Sequence, residues 1–110
     1  MNPPVIFGVY TAKFPFLETN KDKVRPVIVV SKPHGQHNAI IVVPVSAKLE
    51  RTDVDVELLD WRNVGLVRPS IGRVHRLSAL LQSDLTSQLG KLSAGDQAKL
   101  QKGLIKLLNI

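Results

Sequence analysis

Val24-Arg25-Pro26-Val27-Ile28-Val29-Val30-Ser31 and, after the polar stretch Lys32-Pro33-His34-Gly35-Gln36-His37-Asn38, Ala39-Ile40-Ile41-Val42-Val43-Pro44-Val45-Ser46 decide the fold. Both apolar runs are short and β-branched, the pattern of strands buried on both faces. The stretch between them is rich in turn-forming residues, so the two runs are expected to pair as an antiparallel hairpin. Pro26 lacks an amide donor and belongs near a strand start or on an edge. Arg25 opens the first run and Ser46 closes the second, so hairpin pairing makes them neighbours at the rim of the core. A guanidinium keeps its charge at any working pH and presents a planar fork of donors to phosphate. A hydroxyl beside it completes a phosphate-binding pair. Taken singly, each also reads as ordinary: a surface arginine at a strand start, and a strand-end serine bonded to its own backbone.

Working outward, residues 5–14 alternate loosely and carry Val, Phe and Tyr, which predicts a first strand, with Gly8 marking a bulge or a close backbone approach. Residues 18–23 are polar and aperiodic, a loop. Residues 53–58 alternate strictly and predict a half-exposed strand with an acidic outer face of Asp53, Asp55 and Glu57. Residues 60–65 read as a turn anchored by Trp61. Leu66-Val67 and residues 72–77 read as further strand pieces, and residues 80–89 as a short helix stopped by Gly90 as a left-handed cap. Ser93, with Asp96 three residues on, starts a helix with a capping-box pattern. Leu100, Leu104, Leu107 and Leu108 form its apolar stripe. Gly103 is expected to weaken that helix by roughly 1 kcal/mol relative to Ala.

The chain has 110 residues, enough for one domain over 1–110 with its own core. There is no cysteine, so disulfides and thiolate metal sites are excluded, and a reducing, cytoplasmic setting is expected. Met1-Asn2-Pro3-Pro4 does not read as a secretory leader, and no apolar stretch has membrane-spanning length. The formal charge is +6 and the pI about 10.0. For a small domain this favours polyanionic partners, nucleic acid first. Arg68, Ser70, Arg73 and His75 make a second polar, largely basic cluster; on a strand, Arg73 and His75 would share a face of a groove for a phosphate backbone. His34 and His37 stand three apart in a turn with no third ligand in view, so no metal site is expected. Mainly β with a C-terminal helix, as a small curled antiparallel sheet or barrel, is the expected architecture.

The ordered set Gly8-Val9-Tyr10, Phe14-Pro15-Phe16, Arg25 to Ser31, Ile41 to Ser46, Asp60-Trp61, Gly65 to Ser70 and Leu89 to Ser93, with the leucine helix, resembles the MazF/PemK family of toxin endoribonucleases from type II toxin–antitoxin systems. The resemblance covers nearly the whole chain. It implies an SH3-like antiparallel barrel with a C-terminal helix, a homodimer, and neutralisation by an acidic antitoxin. It further implies cleavage of single-stranded RNA, often messenger RNA, with neither metal nor cofactor, leaving a 2′,3′-cyclic phosphate and a 5′-hydroxyl. The family's conserved Arg-Pro arginine falls on Arg25, its catalytic threonine on Ser46, and an arginine used by PemK-like members on Arg68. Glu18, Lys23, Lys48, Ser70, Arg73 and His75 are the expected RNA-binding residues. Three positions depart from the family pattern: Val9 and Ser70 stand where acids are usual, and serine replaces threonine at 46. No general base is thereby assigned; Glu18 and His75 are the candidates. Two other functions fit the same fold, a gyrase-poisoning toxin of the CcdB type and a nucleic-acid-binding module with a decayed active site.

Overall fold

The two β-branched runs form the expected hairpin. In the computed structural model, which describes residues 3–13, 24–48 and 50–110, β2 (Val24–Val29) pairs antiparallel with β3 (Ala39–Ser46). β1 (Gly8–Lys13) lies on the other side of β2 in regular register, and its ladder with residues 85–91 on its far side shifts between Val9 and Tyr10, next to Gly8, and again between Thr11 and Ala12. The remaining strands are β4 (Val56–Leu58), β5 (Ser70–Gly72), β6 (Ser78–Leu81) and β7 (Leu85–Lys91). The sheet runs β4-β5-β3-β2-β1-β7, with β6 on the first half of β3 and β5 on its end. All pairings are antiparallel and the sheet curls, but the ladder stays open between β4 and β7 among the described residues. One helix, α1 (Ala94–Leu108), follows.

The continuous apolar runs follow from burial on both faces. Val9, Ile28 and Val43 point into a cluster closed by Val56, Leu58, Val74 and Leu100. Their neighbours Tyr10, Val27, Val29 and Val42 point into a second cluster closed by Ile40, Leu80 and Leu85. Strands covered on both sides need no polar face, so the period-2 alternation vanishes.

α1 is the expected helix. The Ser93 hydroxyl accepts from the Asp96 amide at 3.2 Å. The reciprocal half of the box differs: the buried Asp96 carboxylate accepts from the Leu59 and Asp60 amides at 3.2 and 3.0 Å, tying the helix start to the end of β4. The stripe is narrower than expected, because Leu108 is half exposed. At Gly103 α1 packs closely on the turn before β4; a Cβ there would lie 2.5 Å from the Val54 carbonyl oxygen. Its intrinsic cost to the helix is the condition for that close approach.

Five sequence expectations are corrected. Residues 80–89 form no helix: they contain the end of β6, a 3-10 turn over Gln82–Asp84 and most of β7. Gly90 is no left-handed cap. It lies in β7, where a Cβ would stand 2.9 Å from the Val64 Cα, so glycine admits the 3-10 turn Trp61–Val64 against the strand. Leu66-Val67 is not a strand, and Val67 is almost fully exposed. The stretch 72–77 leaves β5 at Gly72 and becomes a 3-10 turn, Val74–Arg76, while 53–58 is strand only over β4. Before β4, the Asp55 carboxylate accepts from the Thr52 amide at 2.8 Å and the Asp55 amide donates to the Thr52 carbonyl, closing a turn. No helix among the described residues is long and apolar enough to cross a membrane.

Candidate nucleic-acid interface

Register brings the first pair together. Val27 lies opposite Pro44, the last pair of the β2–β3 ladder, and Arg25 and Ser46 each lie two residues beyond that pair on their own strands. Both open into a groove of about 760 Å³ at the end of the hairpin, with Lys48, Arg51, Arg68 and His75 also on its walls. Arg68 and Lys48 are exposed at the rim. Among the described residues, six cationic side chains line this groove, Arg25, Lys48, Arg51, Arg68, Arg73 and Arg76, against one carboxylate, Glu50. Such a concentration of one sign attracts a polyanion and raises its local concentration.

Arg73 holds the floor. It ends the β5 segment and precedes the 3-10 turn, and its amide donates to the Pro44 carbonyl at 2.7 Å. Only 8% of the residue is exposed. Its Nε and Nη2 donate to the Ser46 Oγ at 3.2 and 3.1 Å, and Nη2 also donates to the Lys48 carbonyl at 2.6 Å. The Lys48 amide donates to the same Oγ at 3.2 Å. With its lone pairs taken by three N–H groups, the Ser46 hydroxyl has its own proton left to donate. A donor polarised by a neighbouring cation makes the stronger, charge-assisted kind of bond.

Asp55 supports the opposite wall. Its side chain is fully buried, and its Oδ1 accepts from the His75 amide at 3.1 Å. Both carboxylate oxygens lie 2.9 Å from His75 Nδ1. The Arg73 Nη1 stands 3.9 Å away. Burial pushes the Asp55 carboxyl up, but the Thr52 amide and the His75 ring and amide outweigh it, leaving the value below the ordinary 3.8. Ser46, Arg73, Asp55 and His75 therefore form one connected polar chain beneath the groove.

The structure thus gathers Arg25, Ser46, Lys48, Arg68, Arg73 and His75 around one cleft. Arg73 and His75 share it through a 3-10 turn instead of a strand face. Ser70 is buried, and its hydroxyl donates to the Arg68 carbonyl at 2.8 Å, so it shapes the loop carrying Arg68. Glu18 and Lys23 lie outside the described residues. Trp61 sits in its 3-10 turn against the core, with the Arg62 guanidinium 4.9 Å from its ring centroid. Among the described residues no three His, Asp or Glu side chains converge as metal ligands. Asp55 is the residue that sequence reasoning missed: alternation places it on an outer polar face, and only the fold brings His75 and Arg73 over it.

A curled antiparallel sheet is thus backed by one helix and carries a cationic cleft with an arginine-anchored hydroxyl. The family model described as PemK-like, MazF-like toxin of type II toxin–antitoxin system matches residues 7–108, and the chain belongs to that family. Among solved structures it is similar in fold to the Mycobacterium tuberculosis toxin MazF-mt6, with a TM-score of 0.75 at 20% identity over 94% of this chain and 97% of that one. It is similarly close to the MazE-MazF structure from Deinococcus radiodurans, with a TM-score of 0.74 at 18% identity over 100% and 99% of the two chains. An endoribonuclease in complex with its cognate antitoxin, from a mycobacterial species, gives a TM-score of 0.73 at 15% identity over 97% and 96%. No curated protein matches the sequence.

Proposed function

We propose that this chain is a toxin endoribonuclease that cuts single-stranded RNA by internal transesterification in the Arg25–Ser46 groove, as a cytoplasmic homodimer held in check by a cognate antitoxin. Family membership supports the toxin and antitoxin parts. The observation that carries the chemistry is the convergence of Arg25, Ser46 and Arg68 on one cationic cleft. Attack of a ribose 2′-hydroxyl on the adjacent phosphorus builds a dianionic phosphorane. Donors preorganised toward its oxygens lower that barrier, and each is worth about 10²–10³ in rate when removed from a comparable site. The guanidinium of Arg25 supplies charge, and the Ser46 hydroxyl supplies a directed donor. Arg68 at the rim holds a flanking phosphate. A cleft that reaches a scissile phosphate from the 2′ side needs an unpaired, splayed strand, which single-stranded RNA provides.

The test is cleavage of a defined single-stranded RNA in EDTA, with the ends identified. A 2′,3′-cyclic phosphate and a 5′-hydroxyl, produced without metal, are expected. Cleavage that stops in EDTA and returns with added metal overturns the mechanism. Tight gyrase binding without RNA cleavage points to the CcdB-type alternative, and RNA binding without cleavage to a decayed module.

A further inference from the structure

Resting on the RNA-cleavage reading, the geometry points to His75 as the general base that takes the proton from the attacking 2′-hydroxyl, with buried Asp55 as the residue that positions it. Asp55 is fully enclosed, whereas a third of the His75 side chain remains exposed. The carboxylate meets Nδ1 through both oxygens at 2.9 Å and takes the His75 amide as well. An ionised carboxylate only accepts hydrogen bonds, so Nδ1 carries a proton. The neutral imidazole is thereby fixed in the tautomer whose Nε2 holds the free lone pair. Nε2 lies across the ring from Nδ1, away from the enclosed carboxylate, and has no hydrogen-bond partner among the described residues. A carboxylate that fixes the tautomer and aim of a histidine base is the logic of acid–base dyads in general.

The neighbourhood is suited to that task. His75 shares the groove with Arg25 and Ser46. Arg73 links the two halves of the site, touching Ser46 with two donors and standing 3.9 Å from Asp55. The charged groups that share the groove with the ring come from several elements: Arg73 and Arg76 from its own turn, Arg25 from β2, Lys48, Glu50 and Arg51 after β3, and Arg68 before β5, with Asp55 from the turn before β4 at 2.9 Å from Nδ1.

The step balances without a co-reactant. Nε2 accepts the 2′-hydroxyl proton as the O2′–phosphorus bond forms. The bond from phosphorus to the 5′-oxygen breaks, and water protonates that oxygen. The proton on Nε2 then returns to solvent. This assignment supplies the base that the family's usual acidic position cannot, because Ser70 stands there with its hydroxyl turned to the Arg68 carbonyl.

The experiment uses the full chain and a mixed-sequence single-stranded RNA transcript under single-turnover conditions, with binding followed on 2′-O-methyl RNA of the same sequence. The wild-type rate is expected to rise with pH as the imidazole loses its proton. His75→Ala and His75→Gln should each lower the rate by roughly 10²-fold or more, within the range for a lost general base. Both should abolish that rising limb and lower binding far less than they lower the rate. The glutamine amide can still donate to Asp55, so that variant keeps the buried carboxylate partnered and the fold intact. Added imidazole should restore cleavage to His75→Ala. Asp55→Asn should lower the rate less than His75→Ala and displace the limb. Cleavage by His75→Gln at close to the wild-type rate, or rate loss that only tracks lost binding and ignores imidazole, overturns the assignment while the cleavage reading stands. A wild-type chain that cuts no RNA overturns the cleavage reading and removes the dyad's substrate with it.

Discussion

The Arg73 guanidinium sits beneath Ser46 and gives it two hydrogen bonds, from Nε at 3.2 Å and from Nη2 at 3.1 Å. The sequence suggests an arginine for the RNA backbone at this position. Its burial and its bonds to Ser46 and the Lys48 carbonyl suit it also to positioning the hydroxyl. Lysine keeps the charge but cannot reproduce a planar fork with two donors on one oxygen.

Arg73→Lys is therefore expected to lower single-turnover cleavage by roughly tenfold or more while RNA affinity changes little. In a Ser46→Ala background the same substitution should cost far less, because the group it aims is already gone. A double-mutant cycle on the cleavage rate measures this coupling. Independent, additive effects would separate Arg73 from Ser46.

Asp55 makes stability depend on acid. Its carboxyl is held below its ordinary value in the folded chain, so the folded state prefers the ionised form. The stabilisation is complete above the unfolded value and is lost as pH falls through the folded one. Thermal midpoints measured from about pH 6 to about pH 2 should drop for the wild type, and Asp55→Asn should flatten that drop. Asp53 is also held low, by Lys106, but it is present in both proteins and leaves their difference to Asp55. Parallel curves would contradict the assignment.

The hairpin, and with it the Arg25–Ser46 pair, was legible because local signals agreed: two β-branched runs, a turn cluster between them, and polar residues at matching ends. The C-terminal helix was legible for the same reason. Residues 80–89 were not. Leu81, Leu85 and Leu89 recur every fourth residue, which imitates a helical stripe, yet Leu85 alone of the three is buried and Thr86 and Ser87 meet Thr11 across the β1–β7 ladder. Pairing with distant strands overrode the local period. Asp55 was illegible for a related reason, since its partners come 18 and 20 residues later in the chain and no spacing rule joins them.

Gly103→Ala should destabilise the protein although alanine is the better helix former. The propensity gain is about 1 kcal/mol. Against it stands a Cβ only 2.5 Å from the Val54 carbonyl oxygen, with Val74 and Val56 side chains behind it at 3.4 and 3.5 Å. Backbone cannot yield as a flexible side chain would, so α1 must lift from the turn before β4. A fall in thermal midpoint of at least about 4 °C is expected, corresponding to a net loss of roughly 1 kcal/mol. A rise would show that α1 has slack the structure does not display.

Binding of single-stranded RNA should weaken steeply with salt, because groove cations displace condensed counterions. Arg68 is exposed at the rim, so Arg68→Ala should flatten the log–log slope by about 0.7, the single-strand value for one phosphate. Arg73→Lys should leave the slope unchanged. Titration of labelled 2′-O-methyl RNA at several salt concentrations distinguishes a phosphate contact from a structural arginine.

The last prediction concerns the antitoxin. A ribonuclease free in its own cell is toxic, so the proposed activity requires an inhibitor. Structures similar to this one include an endoribonuclease with its cognate antitoxin and MazE-MazF. The net charge of +6 and the cationic groove suit an acidic partner, because opposite charge speeds encounter and disfavours wrong partners. An acidic, flexible segment that orders on binding can follow the path of the RNA backbone and take the same arginines. Co-expression with the acidic product of an adjacent gene should relieve toxicity, and the purified complex should neither bind nor cut RNA. Raising salt should weaken that inhibition, and Arg25→Ala with Arg68→Ala should weaken antitoxin and RNA binding together. A complex that is inactive yet binds RNA with full affinity would place the antitoxin elsewhere on the surface. Absence of any growth defect when the chain is expressed alone would count against the toxin itself.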